Sequence, residues 1–195
     1  MKSTQDLKKD HITIRRIKDI ALKCSNRLYE TKRVPIEDIE IISVVIEEFV
    51  DHFHHGKEEK AYFPGTKEKG EFSEDIRKFL IEHEFGRRIA IMLRKAINNW
   101  KSKVNESIQD EEQKRNFIEP IARFLKTYAI FIEDHTGKED RFFDSIEKDK
   151  IISASEDQLL LMHYESCMNQ VGGKIRMDQM LKLIDYLENR EWMKE

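Results

Sequence analysis

The sequence has few of the residues that break helices or cross-link chains: 3 Pro, 7 Gly and 2 Cys among 195 residues. Cys24 and Cys167 lie far apart and form no CxxC motif, which excludes a disulfide scaffold and a cysteine zinc finger. No stretch approaches the ~18 apolar residues of a membrane span, and the start lacks the apolar core of a signal peptide. Positive charge is not in excess, since 35 Lys+Arg face 38 Asp+Glu. We therefore expect a soluble cytoplasmic protein that binds neither nucleic acid nor membrane.

Apolar residues recur every three or four positions over long segments, and strand-like alternation is missing, so the sequence predicts an all-α protein. Pro35 suits a first helical position, and Phe63-Pro64-Gly65 predicts a helix end. Ser73 is a good N-cap, with Phe72 placed as a staple residue before it. The predicted helices cover about Leu7–Tyr29, Ile36–Lys60, Glu74–Val104, Pro120–Glu147, Leu159–Val171 and Arg176–Asn189.

Four long helices with short connections predict an up-down-up-down four-helix bundle over residues 1–150. We also expect Asp110–Glu119 to be helical, with a bend at Pro120. Residues 151–195 are predicted to form a C-terminal helical hairpin packed on the bundle. Its first helix would start at a capping box, Ser155-x-x-Gln158, and Gly172-Gly173 would end it.

Ionisable residues occupy seam positions where an ordinary bundle carries Leu or Ile. Burying an isolated carboxylate costs several kcal/mol or more, so repeated burial in one core indicates a metal ion or a catalytic network. In an up-and-down bundle, the start of one helix lies beside the end of the next. These side chains lie near the start, end, start and end of successive helices, so we expect them to meet at one end of the bundle. They are His11, His54, Glu58, His83, His135 and Glu139.

Four of these residues form two His/Glu pairs within an internal repeat that has the pattern H-x-G-K-E. His54 and Glu58 form the first pair, and His135 and Glu139 form the second. A His and a Glu four residues apart point to the same side of a helix. His52 is predicted to face solvent, His163 to be structural, and His55 is an additional candidate ligand. Mixed nitrogen and oxygen donors without thiolate suit iron, zinc or manganese, and the paired pattern resembles the ligands of di-metal bundles.

Four motifs follow one another along the chain: Asp10-His11-x-x-Ile14-Arg15-Arg16, Phe49-x-Asp51-x-x-His54-His55-x-Lys57-Glu58-Glu59-x-x-Tyr62-Phe63-Pro64, Glu82-His83-x-x-Gly86-Arg87 and His135-x-x-Lys138-Glu139-Asp140-Arg141-x-Phe143. At these motifs the sequence resembles the hemerythrin-like, or HHE cation-binding, domain family over about residues 7–147. The resemblance implies a non-haem centre of two iron ions within a helical bundle, with zinc or manganese as possible substitutes. It further implies that the four His are terminal ligands and that Glu58 and Glu139 bridge the irons.

One position departs from the oxygen-carrying hemerythrins, which have a second His one turn after the one matching His83. Here that residue is Arg87, so simple reversible oxygen carriage is not implied, and His55 is a possible fifth nitrogen donor. Arg87 could hydrogen-bond a bound anion or a ligating Glu, or form an ordinary salt bridge. Gly86 is expected to leave room for a small ligand.

Three functions fit these features. The first is a module that binds or senses dioxygen, nitric oxide, peroxide or iron. The second is a di-iron redox enzyme that turns over peroxide or nitric oxide, with iron delivery or iron–sulfur repair as a variant, although no catalytic residue stands out. The third is a metal-free helical interaction protein. The sequence names no protein partner.

Overall fold

The computed structural model describes residues 1–67, 69, 71–104 and 111–194. These residues form helices and no strand, which confirms the predicted all-α class. We number the helices α1 to α7. Their bounds are Lys2–Tyr29 (α1), residues 36–66 (α2), Ser73–Val104 (α3), Glu111–Lys148 (α4), Ala154–Gln170 (α5), Gly173–Glu188 (α6) and Glu191–Lys194 (α7).

Helix α1 begins at Lys2, five residues before the predicted start at Leu7. The backbone N–H groups of Lys2 and Ser3 donate to the carboxylate of Asp157, each at 3.0 Å. The first N–H groups of a helix have no partner within it, so this distant carboxylate supports the additional turn. The start of α1 thus depends on a tertiary contact that local sequence does not show.

Helix α2 is one continuous helix whose backbone hydrogen-bonding pattern changes along its length. It is α-helical over Ile36–Val45 and Phe63–Thr66, and π-helical over Ile46–His55 and Glu58–Tyr62. Such wide turns are rare and concentrate at functional sites. The helix ends at Thr66, one residue beyond the predicted end at Phe63-Pro64-Gly65, and Pro64 lies within its last α-helical turn.

The other boundaries follow the sequence more closely. Helix α4 includes Glu111–Glu119, as expected, and is continuous through Pro120, while Asp110 lies outside the described residues. The bend at Pro120 stays a prediction. The capping box of α5 is formed by Ser153 and Glu156, which corrects the prediction of Ser155 and Gln158. Both pairs fit the pattern, but Glu156 adds a negative charge at the helix N-terminus. Gly172 and Gly173 adopt positive φ and end α5 as predicted.

The buried apolar side chains form two separate clusters. On α1, Leu7 belongs to the smaller cluster and Ile14 to the larger one, and His11 lies between them. The same order holds on α4, where Ile132 and Phe142 belong to different clusters and flank His135. A polar layer therefore crosses the bundle between two apolar regions.

The most extensive helix contacts join α1 with α4 and α3 with α4. Helix α6 adds Met177, Met180 and Ile184 to the larger apolar cluster. Its C-terminal continuation reaches α2, where Arg190 Nε and Trp192 Nε1 each donate to Asp38 at 2.7 Å. The division at residue 150 stays a prediction. Within the described ranges, none of the helices is both long and apolar enough to cross a bilayer.

Candidate metal centre

All six side chains predicted as ligands lie in the polar layer, and each is fully buried. Helix α1 supplies His11, α2 supplies His54 and Glu58, α3 supplies His83, and α4 supplies His135 and Glu139. The expected meeting of four helices at one level is therefore seen in the structure.

The donor atoms of this layer form two groups, in each of which they lie within 4.8 Å of one another. One group contains His11, His54, Glu58 and Glu139, and the Nε2 atoms of its two histidines are 3.0 Å apart. The other group contains His55, His83 and His135. Each group could hold a metal ion, and the second includes His55.

The two glutamates lie between the groups. Glu58 directs Oε1 towards Nε2 of His54 and Oε2 towards Nε2 of His83, each at 3.4 Å. Glu139 lies 3.3 Å from His83 through Oε1, and its Oε2 lies 3.4 Å from His11 and 3.2 Å from His135. Each carboxylate thus reaches both histidine groups, as a bridging ligand does.

Four of the histidines share one supporting arrangement. The Nδ1–H of each donates to a carboxylate that also accepts a hydrogen bond from a cation. Such a partner fixes the tautomer and the ring orientation of a metal-binding histidine, leaving Nε2 free for the metal. The four chains are His11–Asp140–Arg15, His54–Asp10–Lys57, His83–Glu59–Arg87 and His135–Glu82–Lys138.

The supporting carboxylates are held ionised by these contacts. The hydrogen bond from His135 lowers the pKa of Glu82 to about 2. Burial raises the pKa values of Asp10, Glu59 and Asp140, but the adjacent imidazoles and cations outweigh burial and hold all three below their ordinary values. Each carboxylate can therefore accept the Nδ1–H at neutral pH.

The electrostatics of His54 and His55 differ. Burial opposes the charged form of His54, but Glu58 and Asp10 outweigh it and raise its pKa to about 10. Burial and the neighbouring His83 instead lower the pKa of His55 well below its usual value. Its Nδ1 is 3.6 Å from Asp51, too far for a hydrogen bond. His55 is thus a neutral, buried imidazole, the form that binds metal.

Several polar atoms of the layer have no hydrogen-bond partner among the described residues. They are both oxygens of Glu58, Oε2 of Glu139, both ring nitrogens of His55 and Nε2 of His135. Leaving a buried polar atom unpaired costs about 1–3 kcal/mol, and more for a charged one. Metal coordination would satisfy these atoms, so the residues present fit a pair of cations.

Arg87 contacts neither Glu58 nor Glu139. Its guanidinium donates to Asp51 at 2.7 Å and to Glu59 at 2.6 Å. Of the two roles expected for Arg87, the structure shows the salt bridge. One of its partners, Glu59, is the carboxylate that orients His83. Where the oxygen carriers have another histidine, this chain has a cation that supports the existing one.

Gly86 does not provide open space for a small ligand, which corrects the expectation for this residue. A Cβ added here would lie 2.7 Å from Cε1 of Phe131. That ring stacks on His135, with centroids 5.3 Å apart. The glycine therefore makes room for an aromatic ring that packs on a candidate ligand.

Of the remaining histidines, His52 is exposed, as expected, and His163, which was expected to be structural, is exposed as well. Sequence reasoning missed the four supporting carboxylates as a set. A signal was present, because each is adjacent in sequence to a residue of the layer: Asp10 to His11, Glu59 to Glu58, Glu82 to His83 and Asp140 to Glu139.

The fold and the layer together define a helical protein with a buried His/Glu cluster suited to cations. A model of the hemerythrin HHE cation binding domain matches residues 3–143, well over half of the chain. The chain therefore belongs to the hemerythrin HHE cation-binding domain family, as its motifs predicted. Neither the curated proteins nor the solved structures contain a significant match to it.

Proposed function

We propose that this protein holds a non-haem di-iron centre and binds or senses a small ligand there: dioxygen, nitric oxide or peroxide. His11 and His54 would bind one iron, and His55, His83 and His135 the other. Glu58 and Glu139 would bridge them. The proposal includes the up-down-up-down course of the four long helices and a cytoplasmic location. Zinc or manganese could occupy the same ligands.

The observation that carries this proposal is the placement of the two glutamates. Each is fully buried and has carboxylate oxygens within 3.4 Å of imidazole nitrogens in both histidine groups. Burial, and for Glu139 also the charge of Glu58, raises the pKa values of the pair. The surrounding imidazoles outweigh these effects and keep both pKa values below the ordinary range. Two ionised carboxylates between two sets of imidazoles, which bind metal in their neutral form, suit two divalent cations.

A pair of irons supplies redox chemistry and affinity for diatomic ligands and peroxide. The chain supplies the oriented imidazoles, the bridging carboxylates and an apolar surrounding. The first histidine group offers two nitrogens and the second offers three. We place the small ligand on the two-histidine side, because that side has fewer protein donors.

The test combines metal analysis with spectroscopy. Protein from iron-replete cells should contain two irons per chain, with the Mössbauer signal of a coupled pair. Glu139→Gln should abolish that signal, while Glu133→Gln, a change at an exposed position of the same helix, should not. Anaerobic reduced protein is then exposed separately to dioxygen, nitric oxide and peroxide.

The results separate the three functions. A spectral change without turnover supports binding or sensing. Rapid turnover of peroxide or nitric oxide, lost in Glu139→Gln, would make the protein an enzyme. Protein without metal from iron-replete cells, with stability indifferent to His83→Ala, would make it a metal-free helical protein and refute the proposal.

A further inference from the structure

The four histidine–carboxylate–cation chains differ in their access to water. In three of them the cation is partly exposed: 35% for Arg15, 29% for Arg87 and 38% for Lys138. In the fourth, the side chain of Lys57 is only 3% exposed. The support of His54 is therefore the most enclosed of the four, although Asp6, the second carboxylate that accepts from Lys57, is 40% exposed.

Aromatic rings and carboxylates surround the ammonium group of Lys57. It lies 4.1 Å from the ring centroid of Phe53 and 5.3 Å from that of Tyr164. It donates to Asp6 at 2.6 Å and to Asp10 at 2.7 Å. Asp10 in turn accepts from Nδ1 of His54 at 3.3 Å. Tyr164 is thus three contacts from a candidate ligand.

Tyr164 belongs to α5, which lies beyond the residues matched by the family model. Only three side chains of this helix are buried: Leu160, Tyr164 and Cys167. All three contact or cover α2. Cys167 Sγ donates to the carbonyl oxygen of Gly56 at 3.6 Å, and Leu160 lies beside Gly65. Helix α5 therefore covers the outer side of the stretch that carries His54, His55 and Glu58.

This cover explains an unusual pattern in α2. Six consecutive residues, 53–58, are all buried. An ordinary amphipathic helix buries only one face. Here the layer buries one side of the stretch, where His54 and Glu58 face the bundle interior. Helix α5 buries the other side, so Lys57 is shielded from water as well.

We propose that Lys57 and Tyr164 are positioning residues for His54, and that helix α5 thereby completes the support of the two-histidine side of the metal centre. This inference rests on the proposed function. Polar contacts are stronger when water is excluded. Removing the Tyr164 ring would admit water to Lys57 and Asp10 and loosen the hold on His54.

The hydroxyl of Tyr164 provides a conservative control. It is buried and has no hydrogen-bond partner in the part of the chain that the structure describes. Tyr164→Phe keeps the ring and should preserve the support of His54, whereas Tyr164→Ala should not. Leu160→Ala is the packing control, since it removes part of another buried side chain on the same helix, one that lies beside Gly65.

The first measurement is exchange of the imidazole Nδ1 protons with water, by NMR of the full chain in metal-free and zinc-loaded forms. The His54 proton should exchange more slowly than those of His11, His83 and His135. Tyr164→Ala should accelerate the His54 proton alone, and Leu160→Ala should leave it unchanged. A His54 proton that exchanges as fast as the other three in the wild-type protein would overturn the proposal, even if the variants failed to fold.

The second measurement is ferrous iron affinity by competition with a chelator. Changing an outer partner of a ligand typically weakens metal binding by about 10–100-fold. We expect a loss in the lower part of this range for Tyr164→Ala and no loss for Tyr164→Phe. Equal losses in Tyr164→Ala and Leu160→Ala would reduce the role of Tyr164 to general packing and refute it. A wild-type chain that binds no metal would instead refute the proposed function, which the exchange measurement does not require.

Discussion

The imidazole of His55 lies flat against that of His83, with ring centroids 3.8 Å apart and planes 13° from parallel. The two rings come from different helices, α2 and α3. They are two of the three imidazoles in the second histidine group. This stacking makes His55 part of the layer, although its sequence neighbour His54 belongs to the other group.

The first prediction concerns this fifth nitrogen donor. His55→Leu should weaken binding of the iron on the three-histidine side, so that metal content falls from two irons per chain towards one and the Mössbauer signal of the coupled pair is lost. His52→Leu, on the exposed side of the same turn, should change neither. Two tightly bound, coupled irons in His55→Leu would remove His55 from the ligand set.

The second prediction concerns the supporting carboxylates. Glu82→Gln should weaken iron binding by about 10–100-fold, because the amide no longer orients the ring of His135 as a charged acceptor does. Glu84→Gln, at an exposed position two residues later, is the control. The measurement is chelator competition at equal protein stability. Wild-type affinity in Glu82→Gln would show that packing alone orients His135.

The third prediction concerns the contact between Gly86 and Phe131. Gly86→Ala should lower the free energy of unfolding by about 1–3 kcal/mol, the usual cost of overpacking, because the new methyl group displaces the ring from His135. At Gly56 an added Cβ meets nothing within 4 Å, so Gly56→Ala should raise the free energy of unfolding by about 0.5–1 kcal/mol. Denaturant titration of both variants measures the two values. Equal effects at the two glycines would contradict the close contact.

The fourth prediction concerns pH. In the metal-free protein, burial opposes the charged form of His54, but Glu58 and Asp10 raise its pKa to about 10. A metal ion must displace this proton, so zinc affinity should fall as pH drops below about 10. Calorimetric titration in two buffers with different ionisation enthalpies counts the released protons. Zinc binding without proton release at neutral pH would contradict the raised pKa.

The imidazole of His54 also determines how the stability of the metal-free protein changes with pH. Its pKa in the folded state lies above the ordinary value of 6.5. The ion pairs of His54 therefore contribute their full stabilisation below pH 6.5 and lose it as pH rises through about 10. His54→Gln should remove this part of the alkaline loss, as measured by denaturation at neutral and alkaline pH.

Much of the centre could be predicted from the sequence because its ligands replace apolar residues at regular helical positions. His11, His83 and His135 stand where Leu or Ile would otherwise continue a stripe, and helix order brings them to one level. The H-x-G-K-E repeat similarly identifies both glutamates. These signals depend only on helical periodicity, which a single sequence shows clearly.

The features that escaped prediction depend on contacts between distant segments or on departures from the α-helix. The π-helical turns of α2, over Ile46–His55 and Glu58–Tyr62, depart from the regular 3.6-residue period on which the helix prediction was based. Gly86 seemed to leave space, but Phe131 from another helix fills it. The role of Lys57 depends on Tyr164, which is more than one hundred residues away in the sequence.

The division of the apolar core into two clusters has a consequence for the order of folding and metal uptake. Each side of the layer is packed by its own set of apolar side chains, so the backbone around the ligands is held from both directions without help from an ion. Small zinc domains, in contrast, are unfolded until the metal arrives. We therefore expect this chain to fold first and to bind iron afterwards, at a site whose geometry is already formed.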